Sequence, residues 1–150
     1  MRNVVEISCI GIEEPAWTDR LEHFLLKLLD HLDIDSWEVS VVLCDDLFIQ
    51  DLNMRYRGKN YPTDVLSFPQ VDGTADETGT YPAGDIIISL PVLKRNAENF
   101  NVLEEQELRR LIIHGILHLS GMDHATNEPE EEMLSRQEKI LKSLEGETIF

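Results

Sequence analysis

Alternation of apolar and polar residues with period two is confined to the first 90 residues of this chain, and after Pro91 the apolar residues recur at three and four residue intervals. Strands early and helices late indicate an α+β domain, a small sheet covered by helices. The first strand is expected from Val4 to Cys9, with Val5, Ile7 and Cys9 on one face and Val4, Glu6 and Ser8 on the other. Pro15 suits the first turn of a helix that carries Trp17, Leu21, Phe24, Leu25, Leu28, Leu29 and Leu32 as a core-facing stripe to about Asp33. His23 and His31 on that helix have no metal-ligand partners nearby in sequence and read as ordinary helix residues. Trp37 to Leu43 alternates again, and Asp45 or Asp46 can cap a short helix from Leu47 to about Met54. Val65 to Phe68 reads as a third strand ended by Pro69, and Asp85 to Leu90 as a fourth, entered through Gly84. Between them Gln70 to Ala83 forms a long loop rich in Gly, Thr and acid. Helices are then expected from Val92 to about Phe100, from Val102 to Ser120 with Gly121 closing it, and from about Asn127 to Leu144.

With 150 residues, 42% of them apolar, the chain suits one domain spanning residues 1–150 that buries its core without disulfides. Cys9 and Cys44 lie inside apolar segments and read as small buried hydrophobes. No apolar run approaches the roughly 20 residues of a membrane span, and Met1 to Glu6 lack the pattern of a signal peptide. A cytoplasmic protein without a membrane partner is expected. The net charge of −16, from 29 acidic and 13 basic residues, repels phosphate backbones. Any nucleic-acid site must therefore be locally basic. The acid runs Asp72 to Glu77 and Glu128 to Glu132 read as solvated surface.

The segment that carries chemistry runs from His114 to His124. Positions four apart stack on one face of a helix about 6 Å apart along the axis, so His114 and His118 can aim both imidazoles at one ion. Gly121 takes the left-handed conformation cheaply, and the turn it permits can swing His124 back as a third ligand. Three neutral nitrogens and an open fourth position describe a catalytic zinc site, one ion per chain, whereas structural zinc is closed by four ligands dominated by Cys. Nickel, copper or iron accept the same donors. Asp123 is either an acceptor orienting an imidazole or a turn residue bonding its own backbone.

This segment matches the metzincin pattern His-Glu-x-x-His-x-x-Gly-x-x-His at every ligand and at Gly121, but Gly115 stands where that protease keeps its general-base glutamate, which argues against a peptidase. It more closely resembles the YbeY family of metal-dependent endoribonucleases, which carry His-Gly-x-Leu-His-Leu-x-Gly-x-Asp-His. Leu52-Asn53, Tyr56-Arg57-Gly58-Lys59 and Pro62-Thr63-Asp64-Val65-Leu66-Ser67-Phe68-Pro69 resemble that family's central signature, and Gly84-Asp85-Ile86 with Ile88 forms a third matching block. The blocks span about residues 52 to 124. The resemblance implies a four-stranded mixed sheet flanked by helices, metal at His114, His118 and His124, and a functional arginine at Arg57. It further implies maturation of the 16S ribosomal RNA 3′ end, ribosome quality control, and contacts with the small ribosomal subunit, a small-subunit ribosomal protein and the Era GTPase.

Independently of the family, Arg55, Arg57 and Lys59 form the densest basic stretch in the acidic chain, with the rings of Tyr56 and Tyr61 available for base stacking. Lys94-Arg95 and Arg109-Arg110 could widen such a patch, but isolated pairs on helices are usually just exposed. A bound ion would lower the pKa of a water and polarise a phosphoryl oxygen while Arg57 holds the phosphate. Asp85, an acid beside Gly84, is the best candidate for the base that Gly115 leaves unassigned, or else it orients a histidine or caps a turn. The rival reading is a non-catalytic assembly factor whose metal stabilises the fold for docking on the small ribosomal subunit.

Overall fold

In the computed structural model, which describes residues 2–70, 79–121 and 132–150, each period-two segment of the sequence is a strand. The elements follow as β1 (Val4–Ile10), α1 (Thr18–His31), β2 (Trp37–Cys44), α2 (Asp46–Arg57), β3 (Val65–Pro69), β4 (Tyr81–Ser89), α3 (Leu90–Phe100), α4 (Glu104–Leu119) and α5 (Glu132–Ser143). The four strands form one mixed sheet in the order β1-β2-β4-β3. β1 and β4 run parallel to β2 on either side of it, and β3 lies antiparallel at the edge beside β4. Parallel neighbours need a crossover connection, which α1 supplies between β1 and β2. No helix among the described residues is long and apolar enough to cross a membrane.

Both faces of the sheet are covered, and strand alternation decides which residue meets which layer. Val39, Val41 and Leu43 of β2 and Ile86 and Ile88 of β4 join the larger cluster with Leu21, Phe24, Leu25 and Leu28 of α1, Leu108, Ile112 and Ile116 of α4, and Met133 and Ile140 of α5. Each such side chain, fully buried, stabilises the fold by about 1.5–3 kcal/mol, so this cluster fixes where α4 lies. The alternate residues Cys44, Leu66 and Ile87 pack on the other face with Ile49, Phe48, Leu52 and Phe68. That face belongs to α2. Cys9 and Cys44 are both free thiols. Burial pushes the Cys44 thiol up to about 12, with Asp45 and Asp46 adding to the shift, which makes it an inert packing residue.

Three element boundaries differ from the expectation in ways that matter for function. α2 continues three residues past Met54 and ends at Gly58, so Arg55, Tyr56 and Arg57 form its last turn. Only Ile49 and Asn53 of this helix are fully buried, which leaves little apolar periodicity to mark its end, while cations in the final turn are favoured by the helix dipole. β4 starts at Tyr81, before Gly84, because Trp37 and Glu38 of β2 extend the ladder to Tyr81 and Pro82. Gly84 is therefore inside a strand, at φ +140°, where an added Cβ would collide with the Phe68 carbonyl oxygen and stand 2.9 Å from Leu119 Cδ2. Pro91 opens α3 rather than separating it from β4, with the Ser89 hydroxyl accepting from the Val92 N–H at 3.2 Å.

The remaining boundaries lie within a turn of those expected; residues 71–78 and 122–131, which include His124, most of the long loop and the start expected for the last helix, lie outside the described residues. The chain end was not anticipated as a packing element. Ile149 is fully buried and its N–H donates to Glu105 Oε2 at 2.7 Å, while the Phe150 ring stacks on Trp17 at 5.0 Å.

Candidate active site

His114 and His118 are one turn apart on α4, half-buried, with ring centroids 4.6 Å apart and their Nε2 atoms 3.0 Å apart. Two nitrogens each about 2.0–2.1 Å from one tetrahedral ion stand roughly 3.3 Å apart, so the pair fits such an ion after an adjustment of a few tenths of an ångström. The third expected ligand, His124, lies outside the described residues, and among the described residues no three His, Cys, Asp or Glu side chains converge as a metal-binding group. α4 ends at Leu119, and Gly121 has φ +98°, the left-handed conformation that the sequence assigned to the turn toward His124.

Gly115, between the two histidines, faces the sheet. A Cβ there would stand 2.8 Å from Ile86 Cδ1 and 3.0 Å from Ile86 Cγ1 and Cγ2, so the missing side chain is what lets α4 lie this close to β4. A glutamate at this position would point into Ile86 rather than toward a substrate. Gly115→Glu is expected to lose about 3 kcal/mol or more of stability, from overpacking plus a buried carboxylate. Gly115→Ala should lose less than about 2 kcal/mol, because the higher helix propensity of alanine offsets the contact with a flexible Ile86 terminus. Chemical denaturation of the two variants checks this, and a Gly115→Glu protein as stable as wild type would show that the position is not closed.

The imidazole pair has a partner that the sequence reading missed. Gln137 of α5, 6% exposed, places its Oε1 2.7 Å from His114 Nδ1. Its Nε2 donates to Glu138 Oε2 at 3.2 Å, and Arg110 grips the same carboxylate through Nε at 3.0 Å and Nη2 at 3.2 Å. Arg110 also donates to the buried Glu107 at 2.9 Å. Burial works against the Glu138 charge, but the Arg110 guanidinium and the Gln137 amide outweigh it and hold the carboxyl below its usual value. The signal was present in the sequence: within the α5 stripe Met133, Gln137, Ile140 and Leu141, one polar residue interrupts an apolar helical face.

Arg109 and Arg110 therefore do not widen a basic patch. Arg109 is nearly buried and pairs with Glu105 at 2.9 Å, Arg110 is taken up by Glu107 and Glu138, and Arg95 pairs with Asp46 at 3.0 Å. Their like-charged appearance in sequence is cancelled by carboxylates on the same or the next helix, at least three positions away.

Arg55, Tyr56, Arg57 and Lys59 all lie exposed at the end of α2. Arg55 pairs with Asp51 at 3.1 Å, whereas Arg57 has no ion-pair partner among the described residues. The Tyr56 ring packs against Phe68 of β3 in a tilted, T-shaped contact, with centroids 5.2 Å apart, which fixes the rotational phase of this last turn. Asn53, fully buried, donates to the Tyr61 carbonyl at 2.8 Å and so ties the following loop back to the helix. The ends of α2 and α4 thus meet the same end of the β3–β4 pair from opposite faces, Tyr56 against Phe68 and Leu119 beside Gly84.

Asp85 is in the middle of a strand rather than at its entrance. It stands opposite Phe68 on β3 and Ser40 on β2, and alternation turns it to the α2 face with Ile87, while Gly84 and Ile86 face α4. It therefore belongs with Arg57 and Tyr56 on one side of the sheet and the histidines belong to the other; the contact that orients His114 comes from Gln137 instead. Desolvation pushes the Asp85 carboxyl up from its ordinary value, which makes it a readier proton acceptor from an acid than an ordinary surface aspartate.

Comparison with known proteins extends the match beyond these motifs. The family profile described as Endoribonuclease YbeY matches residues 5–145. An endoribonuclease YbeY of Treponema denticola is 48% identical over 154 aligned residues, covering 100% of this chain and 99% of that protein. Its counterpart in Treponema pallidum strain Nichols is 48% identical over 141 residues, covering 93% and 88%. The solution structure of a Thermotoga maritima protein shares the fold with a TM-score of 0.60 at 31% identity, covering 94% of this chain and 90% of that one. The likeness takes in α1 and α5 as well as the histidine segment, and the chain belongs to the YbeY family of endoribonucleases.

Proposed function

We propose that this protein is a cytoplasmic zinc-dependent endoribonuclease that cuts single-stranded ribosomal RNA, maturing the 16S 3′ end and acting in ribosome quality control. The observation that supports the metal reading is the approach of His114 Nε2 and His118 Nε2 to 3.0 Å, close to the separation of two ligands on one tetrahedral ion. His124 completes the donor set in this reading, with one ion per chain. The ribosomal context rests on family membership, and the small ribosomal subunit, one of its proteins and the Era GTPase are the partners that go with it.

When bound, zinc supplies Lewis acidity and a water of lowered pKa. The chain's own residues do the rest. Arg57 holds the scissile phosphate and stabilises the charge that develops on it, from a helix end whose phase Tyr56 fixes against Phe68. Tyr56 and Lys59 beside it, with Arg55, hold the flanking strand through stacking and charge. Asp85, at the end of the β3–β4 pair where α2 and α4 both finish, would accept the proton that the attacking water or hydroxyl gives up. Gly115 keeps α4 against the sheet and contributes no group to the reaction.

The test is cleavage of a labelled single-stranded RNA and of its duplex by protein stripped with a chelator and then reloaded with zinc. Stripping should abolish cleavage, zinc should restore it, and the duplex should resist. Cleavage that survives stripping overturns the metal assignment. A reloaded protein that cuts nothing yet still binds the small subunit supports the assembly-factor reading instead.

A further inference from the structure

We propose that Gln137 is the positioning residue of this site, fixing His114 in the tautomer that carries its proton on Nδ1 and so presenting the Nε2 lone pair to the ion. The inference rests on the metal reading above and adds a residue of α5 to it. Its force lies in a chain of groups whose hydrogen-bond polarity leaves no choice.

Arg110 can only donate, and an ionised Glu138 can only accept. The bidentate pair between them, at 3.0 and 3.2 Å, occupies both carboxylate oxygens and leaves Oε2 accepting from a second donor as well. The end of the Gln137 amide that meets Glu138 must therefore be the NH2 group. Its other end is then the carbonyl, and that is the atom 2.7 Å from His114 Nδ1. A carbonyl oxygen cannot donate, so the proton between them belongs to the imidazole. A neutral histidine has one ring proton, and with Nδ1 taking it Nε2 keeps its lone pair as an acceptor. That nitrogen is the one facing His118 Nε2.

The arrangement is built rather than incidental. Gln137 is 6% exposed and Glu107, at the far end of the chain, is 4% exposed, so water cannot readily replace either partner. An outer partner of this kind fixes ring orientation and raises ligand basicity, and its loss costs roughly 10–100-fold in metal affinity. It also ties the site to the contact between α4 and α5: the residues that clamp the two helices are the ones that set the tautomer.

Two-bond nitrogen–proton NMR spectra of metal-free protein read the tautomer directly, and zinc titration reads affinity. Wild type should show a pyrrole-type Nδ1 and a pyridine-type Nε2 at His114. Gln137→Leu should shift His114 toward the Nε2-protonated form and weaken zinc about 10–100-fold. Gln137→Glu, which keeps an acceptor at that place, should retain the tautomer and most of the affinity. Glu138→Leu leaves Gln137 intact but frees its amide to rotate, and should give a mixture. A wild-type His114 protonated on Nε2, or a Gln137→Leu protein with unchanged tautomer and affinity, overturns the proposal. A wild type that takes up no zinc but shows the Gln137-dependent tautomer overturns the metal reading while supporting the orienting contact.

Discussion

His118→Ala is expected to remove the metal and the stability that comes with it. The variant leaves one described imidazole where two face each other at 3.0 Å, so the loss in zinc affinity should exceed the roughly 10–100-fold that follows removal of an outer partner. Because the ion binds only the folded chain, zinc at 1,000 times its dissociation constant stabilises wild type by about 4 kcal/mol. For a domain of this size that is a rise in Tm of roughly 8–16 °C, and the variant's Tm should not respond to zinc. His23→Ala is the control, since His23 is exposed on α1, on a different helix from the imidazole pair. Elemental analysis and thermal melts with and without zinc decide the matter. An unchanged metal content in His118→Ala would make His118 a packing residue, and wild type without stoichiometric metal would remove the site altogether.

The histidine pair was legible in the sequence because a spacing of four on a helix is a local rule, and helix α4 was marked by a strong apolar period. The same holds for β1, where Val5, Ile7 and Cys9 turn inward and Val4, Glu6 and Ser8 outward, and for the α1 stripe, where Leu21, Phe24, Leu25, Leu28 and Leu29 are all buried. What local periodicity does not encode is which strand sits beside which. The order β1-β2-β4-β3, with the antiparallel member at the edge, depends on pairings between segments far apart in the chain.

That gap is why the sequence leaves Asp85 open as the base, as a group orienting a histidine or as a turn cap. Its sequence context, an acid next to a glycine, is the same whether it lies at a strand entrance or inside one, and only the pairing with Phe68 and Ser40 assigns it to the α2 face. Gln137 escaped for a related reason. A glutamine on α5 gains meaning only when α5 is laid against α4, and the carboxylate that orients its amide is bound by an arginine 28 positions away. Gly115 illustrates the converse. Its departure from the protease pattern was visible in the sequence as a missing base, and the structure supplies the physical cause in the contact with Ile86.

Arg57→Glu is expected to abolish RNA cleavage while leaving the metal and the fold in place. The guanidinium is exposed in the last turn of α2 and has no ion-pair partner among the described residues, so the change breaks no ion pair among them. Removing one donor to a developing charge costs about 10²–10³ in rate, and placing a carboxylate against a phosphate in a chain of net charge −16 adds repulsion to that loss. Arg55→Glu changes the net charge by the same amount two residues away, and at about 100° per residue the two side chains leave the helix on nearly opposite sides. Arg55 is also engaged with Asp51, which already offsets part of its charge, so its reversal should weaken the hold on the flanking strand and lower cleavage far less than that of Arg57. The contrast between the two variants, measured on the same single-stranded RNA at two salt concentrations with metal content checked in each, separates a directed phosphate contact from a diffuse field. Equal losses that shrink together as salt rises would mean that α2 contributes only charge. No loss in either would mean that RNA does not cross this helix end at all.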